Sequence, residues 1–521
     1  DYRQVCRSHL INFRVRFAVG GAEAMGEYLL GIDNGGTITK SALFTLDGKE
    51  VAIENVKTDL IMPRPGYTER DLDSFWAANC RSIRRVIEKA GIKSSEIAAV
   101  AATGHGNGLY LLDDALEPAC NGIISTDIRA GSYVNNWYSD GTFQKVLPKT
   151  MQSIWAGQPV SLLAWIRDNT PEVLKRSRWV LMCKDYIRLR LTGEVFGEIT
   201  DMSGTNLMSV RDVAYDQEVL DAFGLSALID KLPEIRGSAE ICGTVIKEAA
   251  AATGLAEGTP VAGGLFDINA CAVATGVTNE DLLCSIAGTW SINEYISREP
   301  VVAEDLFMCS IFCIPGYWLI QESSATSASN LEWFITNFID RGRDENVYEM
   351  CSRLVESVRP DECDVVFLPF LYGSHAGYDA TAAFIGLNGF HTRAHLLRAL
   401  YEGVVFSTRY HIEKLARFRT LPDTVRISGG AAKSAVWMQM FSDILQKRIE
   451  LTASDELGAL GAALCAGIAT NAFTSFEEGA KRMVRLKESF DPNPEMADLY
   501  DHRFKRYAET IDRMKQVWAC Q

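Results

Sequence analysis

Nowhere in the sequence do some eighteen apolar residues run together without a charge, so neither a membrane-spanning helix nor the hydrophobic centre of a signal peptide is read from it, and a soluble, cytoplasmic protein is expected. It also lacks a C-x-x-C pair. The thirteen cysteines are an odd number and scattered, and the closest two, Cys309 and Cys313, enclose apolar Ile311 and Phe312. They read as buried reduced thiols rather than metal or disulfide sites. Positive charge is in short supply: 52 Lys+Arg against 67 Asp+Glu leave a net charge of −15. That opposes a nucleic-acid surface. A single anionic ligand is still allowed, because backbone N–H groups, helix N-termini and a metal ion can hold one. No low-complexity linker divides the chain, and no Walker A spacing occurs. Gly429-Gly430-Ala431-Ala432-Lys433-Ser434 comes nearest, but Ala432 precedes its lysine.

What is present is enough apolar residue, 47% of 521, for two cores. Residues 1–24 mix arginine and apolar residues without period and read as an upstream extension outside the fold. The apolar run Tyr28 to Asp33, the turn Asn34-Gly35-Gly36-Thr37 and the run Thr39 to Thr45 predict a hairpin. Asp47-Gly48 turns it into a third strand at Val51-Ala52-Ile53. Leu72, Phe75, Trp76, Ile83, Val86 and Ile87 give Asp71 to Lys89 a helical period, and parallel-type strands are expected at Ile97 to Ala102 and Gly122 to Ser125. A similar opening recurs at Leu282 to Ala287, Gly288-Thr289 and Ser291 to Ile296. One such repeat implies two related lobes with a ligand cleft between them. A buried strand at Val365 to Leu368, a Gly-rich loop at Tyr372 to Gly377, a helix at Thr392 to about Leu415, a strand at Thr424 to Ser428, a helix at Ser434 to Leu445 and helices to the end complete the reading.

Several of these turns can carry chemistry. Asp33 stands at a strand end beside Gly35, Gly36 and Thr37, where small residues let N–H groups approach a phosphate and the carboxylate holds hydrated Mg²⁺. An ordinary hairpin turn has the same letters. Gly288 and Thr289 sit at the matching turn of the second lobe and could clamp the same phosphate from the other side. Gly263-Gly264-Leu265-Phe266-Asp267 follows strand-like Pro260-Val261-Ala262, so Asp267 serves either as the base that takes a hydroxyl proton in phosphoryl transfer or as a helix N-cap. Gly429, Gly430 and Ala431 let an adenine and ribose lie against backbone, and Gly458 and Gly461 offer either a second close approach or helix packing. His105, Asp127 and Arg129 follow two first-lobe strands. They suit the hydroxyls of a polyol, or Asp127 and Arg129 pair only with each other.

The ordered set Asp33-Asn34-Gly35-Gly36-Thr37, Asp127-Ile128-Arg129, Gly264-Leu265-Phe266-Asp267, Gly288-Thr289-Trp290 and Gly429-Gly430-Ala431 resembles the FGGY family of carbohydrate kinases. Ala382 to Glu402 is similar to its C-terminal signature, with Leu400 a departure. In Pro159 to Trp165, Leu162 stands where the family has lysine. Gly157 to Leu163, Gly237 to Gly243, Asn330 to Phe334, Leu368 to Ser374 and Val436 to Met440 resemble the L-xylulose/3-keto-L-gulonate kinase branch.

The resemblance implies an α/β fold of two ribonuclease-H-like lobes of the actin, hexokinase and Hsp70 ATPase type, with residues 25–275 binding sugar and carrying the base and residues 276–521 binding ATP. It implies ATP and Mg²⁺, with Asp267 as base, Asp33 and Asp267 near the metal, and Thr37 and Thr289 at the phosphates. Gly430, Ala431 and Gln439 fall near the adenosine, and His105 falls in the sugar loop. A small-molecule sugar is the partner, with L-xylulose ranked first and D-xylulose, ribulose, erythritol and glycerol as alternatives. No nucleic acid or membrane partner is expected, and a homodimer stays open. The alternative of another class is a non-catalytic actin-like ATPase or sugar sensor.

Overall fold

The structure is a computed structural model that describes residues 26–339, 346–374 and 380–519. The expected upstream extension and the end of the Gly-rich loop, residues 375–377, lie outside the described residues. The chain opens with β1 (Tyr28–Asn34), β2 (Ile38–Thr45) and β3 (Glu50–Lys57), the expected meander. Leu29, Leu30 and Ile32 are fully buried because β1 is a central strand covered on both faces. Helix α1 (Leu72–Ala90) begins where Asp71 accepts the Ser74 N–H at 2.8 Å and ends at Gly91 in the left-handed conformation. Its buried face carries the six apolar residues whose spacing predicted it.

The first sheet is completed by β4 (Ile97–Gly104), β5 (Ile241–Thr244), β6 (Pro260–Ala262) and β7 (Leu265–Phe266), in the order β5-β6-β4-β1-β2-β3 with β7 beside β4. β1 pairs antiparallel with β2 and parallel with β4. Asp33 pairs across the hairpin with Lys40, and Asn34 with Thr39. Helix α2 (Asp267–Ala274) leaves the end of β7. Between β4 and β5, a separate apolar core built from residues such as Val134, Leu162, Met202 and Leu228 carries the loops beside the first lobe's site.

The second lobe repeats the pattern. Its strands are β8 (Leu283–Ala287), β9 (Ser291–Ser297), β10 (Met308–Ile311), β11 (Trp318–Ser324), β12 (Thr424–Ser428), β13 (Arg448–Thr452) and β14 (Leu486–Phe490), ordered β10-β11-β9-β8-β12-β13-β14. As in the first lobe, the leading hairpin is antiparallel and its first strand runs parallel to a later one, β8 with β12. Helices α3 (Arg393–Leu415) and α4 (Ala435–Leu445) pack on this sheet, and α5 (Leu457–Ala469) crosses to the first lobe.

Two expectations are corrected. Gly122–Ile123 is not a parallel strand of the main sheet; it forms a two-residue antiparallel pair with Glu69–Arg70, because Thr68 and the 61–70 loop capture its backbone. The chain end is not all helical either, since β13 and β14 extend the second sheet. α2 and α5 lie in one apolar core shared by both lobes. They approach closely enough that a Cβ on Gly461 would stand 2.1 Å from the Ala270 carbonyl oxygen, so Gly461 serves helix packing.

Candidate active site

The hinge core brings strand ends of both lobes together. Asp33, at the end of β1, and Asp267, at the start of α2, are both half-buried. Burial first, then the neighbouring carboxylates of Asp33 and Asp201, push Asp267 up to about 8. Asp33 is also raised by burial, a shift that Lys40 opposes. Cys271, in the second turn of α2, reports the meeting of the lobes: after burial, Asp267, Asp33, Cys284 of β8 and Glu294 of β9 all act to raise its thiol. The leading hairpin of the second lobe therefore faces the two aspartates.

Asp267 is the first residue of α2 and not its N-cap, a position that Phe266 holds without a side-chain bond. Asp267 Oδ1 accepts the Ile268 N–H at 2.8 Å, and Asp33 and Asp201 are its acidic neighbours. Its backbone is fixed from below: Thr200 Oγ1 accepts the Phe266 N–H at 2.9 Å, and Thr103 Oγ1 donates to the Leu265 carbonyl at 2.8 Å. Beside them, fully buried Lys184 reaches Asp201 at 2.9 Å and Glu198 at 3.2 Å. Sequence reasoning missed this network, although an apolar stretch broken by Lys184-Asp185 and Thr200-Asp201 was a visible signal.

Asp33 is backed from the other lobe. Lys40 pairs at 2.7 Å with Glu456, immediately before α5. A Cβ on Gly458 would stand 2.6 Å from Asp33 Oδ2, so glycine there is a requirement of the carboxylate and not a second adenosine contact. Among the described residues no cluster of three or more His, Cys, Asp or Glu side chains forms a metal cage. Two close carboxylates without one fit Mg²⁺, which keeps waters and phosphate oxygens among its ligands.

The two turns are alike. Gly35 donates its N–H to Ile38 O at 2.9 Å, and Gly288 donates to Trp290 O at 3.1 Å, so the first glycine of each closes its own hairpin and is not free for phosphate. Thr37 and Thr289 are both exposed. Gly429 lies against the second turn, where a Cβ would stand 2.8 Å from Gly288 N, and Gly430 is exposed beside it. Ala431 is fully buried, so its methyl faces the core and not a ligand. Gln439 does not turn toward these glycines with its amide nitrogen, which donates to Asp443 at 2.8 Å and to the Asp491 carbonyl at 3.0 Å.

In the loops that follow β4, Asp127 is fully buried and both of its oxygens are engaged: Arg129 binds it in a fork at 2.9 and 2.8 Å, and Thr68 N–H adds a bond at 2.7 Å. It holds Arg129, the pairing that the sequence left open as the alternative. Arg129 also pairs with Glu69 at 2.7 Å and lies over the rings of Tyr67 and Trp165. His105 is buried, with Nε2 3.0 Å from Tyr110 Oη and Nδ1 3.3 Å from Gly106 O. Burial, and then Arg70, push it down to about 3, so it is neutral and part of the wall. Three charged or polar groups here were not foreseen. Arg70 is buried under the first turn, Glu294 is buried in β9 with no hydrogen-bond partner for either oxygen among the described residues, and Asn107 is a left-handed residue with an unpartnered Oδ1.

With this geometry in view, the family model for the N-terminal domain of the FGGY family of carbohydrate kinases matches residues 28–274, and that for its C-terminal domain matches residues 283–470. The L-xylulose/3-keto-L-gulonate kinase of Escherichia coli is 37% identical over 94% of this chain and 97% of its own. The xylulose kinase of Bacillus subtilis is 27% identical over 94% and 98%. The crystal structure of xylulose kinase from Rhodospirillum rubrum superposes with a TM-score of 0.87 at 26% identity, covering 94% of this chain and all of that one.

Proposed function

The chain belongs to the FGGY family of carbohydrate kinases, and we propose that the sugar to which it transfers the γ-phosphoryl group of ATP is a ketose, L-xylulose or 3-keto-L-gulonate. The proposal for the sugar rests on the similarity to the kinase named for those two ketoses, which extends over nearly the whole of both chains. The reaction is assigned to the cytoplasm, where ATP is supplied and the buried thiols stay reduced.

In this reading Asp267 is the base. The observation that carries it is the half-buried carboxylate at a helix start, beside Asp33 where the two lobes meet, a place where a bound cation would keep it ionised and able to accept the hydroxyl proton. The sugar hydroxyl oxygen forms a bond to the γ-phosphorus as the bond to the β-phosphate oxygen breaks. The hydroxyl proton passes to Asp267, and ADP leaves. Asp33 and Asp267 would hold Mg²⁺, which neutralises charge on the phosphates when bound. Thr37 and Thr289 offer exposed hydroxyls to the phosphates from opposite lobes, and the Gly429-Gly430 turn offers backbone to the adenosine. The 25–275 lobe thus supplies sugar contacts and base, and the 276–521 lobe holds the nucleotide. Bringing the lobes together aligns attacking and leaving oxygens and excludes water as an acceptor.

The test is a coupled ADP-release assay across L-xylulose, 3-keto-L-gulonate, D-xylulose, ribulose, erythritol and glycerol. The reading expects the largest kcat/KM with one of the first two. A clear preference for any of the others overturns the ketose assignment, and ATP turnover indifferent to every sugar favours an ATPase or sensor.

A further inference from the structure

Arg70 is the least explained charge near the site. It is 1% exposed, its guanidinium lies 4.4 Å from the centre of the Phe75 ring, and its Nη2 donates to the Gly35 carbonyl at 3.2 Å and to the Gly36 carbonyl. Among the described residues its Nε and Nη1 have no hydrogen-bond partner, and the nearby carboxylates of Glu69 and Asp127 pair with Arg129 instead. A guanidinium has five N–H donors, and burying one beside carbonyls with no counter-charge is costly. The two carbonyls and the Phe75 ring offset part of that cost, and an anion close by would offset more. The one anion the site is built for is the terminal phosphate of ATP, on the far side of the turn that Arg70 grips.

The backbone around Arg70 supplies a second, independent observation. Glu69 and Arg70 form a two-residue strand against Gly122–Ile123, and neighbouring residues of a strand point to opposite faces. Glu69 points to the sugar loops, accepting from Arg129 at 2.7 Å and from Asn121 at 3.0 Å. The preceding Thr68 donates to Asp127 at 2.7 Å. Arg70 points the other way, to the phosphate turn. One short rigid segment is therefore bonded to both substrate regions at once.

We propose that Arg70 is a positioning residue for phosphoryl transfer: it draws the Gly35 and Gly36 carbonyls back, aims the Gly36–Thr37 end of the turn at the γ-phosphate, and couples that aim to the sugar loops through Glu69. The inference rests on the assignment of the phosphates to this turn. Lysine cannot reproduce it, because a tetrahedral ammonium has no planar face to lie on the Phe75 ring, the contact that fixes the direction in which Nη2 meets both carbonyls.

The test compares Arg70→Gln, Arg70→Lys and Thr37→Ala with the parent enzyme, using steady-state kinetics for ATP and direct titration of the sugar. The expected result for Arg70→Gln is a fall of about thirtyfold or more in kcat/KM for ATP, with the sugar dissociation constant changed less than about threefold. Arg70→Lys is expected to recover ATP affinity but not kcat, a split that loss of fold alone does not give. If Arg70→Gln fails to fold, Arg70→Lys decides by the same split. ATP kinetics for Arg70→Gln within about threefold of the parent, or full recovery of kcat by lysine, overturns the proposal. Should Thr37→Ala leave ATP kinetics unchanged as well, the phosphate assignment falls and the proposal falls with it. A Thr37→Ala effect beside silent Arg70 variants sinks the role of Arg70 alone.

Discussion

The two lobes share a leading antiparallel hairpin whose first strand runs parallel to a later one, and they differ in how they use charge. In the first lobe, charged groups crowd the leading hairpin: Asp33 pairs across from Lys40, and Arg70 grips the turn. In the second lobe the matching turn carries none. It is held by backbone instead, with Ser327 N–H donating to Thr289 O at 3.1 Å and Ala328 N–H to Gly288 O at 2.9 Å. Of the second lobe's buried charges, Glu294 stands alone in β9, and Glu402 on α3 is gripped by Arg398 at 2.9 Å and by Arg503. One topology can thus end its strands in ionisable groups in one lobe and in small residues and backbone in the other, the division on which the proposed roles of the two lobes rest.

That contrast can be broken most sharply at Asp267. Asp267→Asn should retain sugar binding and lose about 10²–10⁴ in kcat, measured by ADP release and by sugar titration; turnover close to the parent's would remove Asp267 from the reaction. The second-lobe counterpart is Glu402→Gln. Leaving Arg398 and Arg503 buried without their carboxylate is expected to lower stability by about 3–5 kcal/mol. Activity per folded molecule should be unchanged, and a denaturation curve beside a kinetic assay separates the two. A selective loss of kcat there would show that the second lobe's charges also serve the reaction.

Two glycines of α5 sharpen the comparison within one helix. Gly458→Ala meets the end of the Asp33 side chain at 2.6 Å, and Gly461→Ala meets the Ala270 backbone at 2.1 Å. The first should cost mainly kcat, because a side chain can swing aside. The second should cost about 1–3 kcal/mol of stability despite alanine's better helix propensity; equal melting temperatures for the two variants would contradict this division.

The smallest effect is in pH. Asp267, raised to about 8, binds a proton more readily in the folded protein than in the unfolded one. Without metal or nucleotide, its contribution to stability is therefore full in acid and lost as pH climbs through the carboxylate range toward about 8. Asp33 shifts in the same direction. Melting temperatures across that window should slope downward, and Asp267→Asn should flatten the slope. A slope unchanged in that variant would mean that other groups set it.

The patterns legible in the sequence were local. The β1–β2 hairpin, α1 and α3 follow from alternation, helical period and a turn or cap within a few residues. The expected strand at 122–125 failed because its partner, Glu69–Arg70, is too short to show a period of its own. Lys40 and Glu456, which meet at 2.7 Å, lie 416 residues apart. The buried pairing of Asp127 was weighed as an alternative, but no spacing could decide it.

The sequence by itself determined the two lobes, the family, and the short list of turns and carboxylates from which a kinase site is made, because each is written in contiguous residues. Only the tertiary structure decided which carboxylate is spent. Asp127 disappears into a fork with Arg129, whereas Asp267 keeps an acidic neighbourhood and a raised proton affinity. The physical reason is that burial and counter-charge arise from chain segments far apart in sequence, and they are settled only when the two lobes close over their shared core.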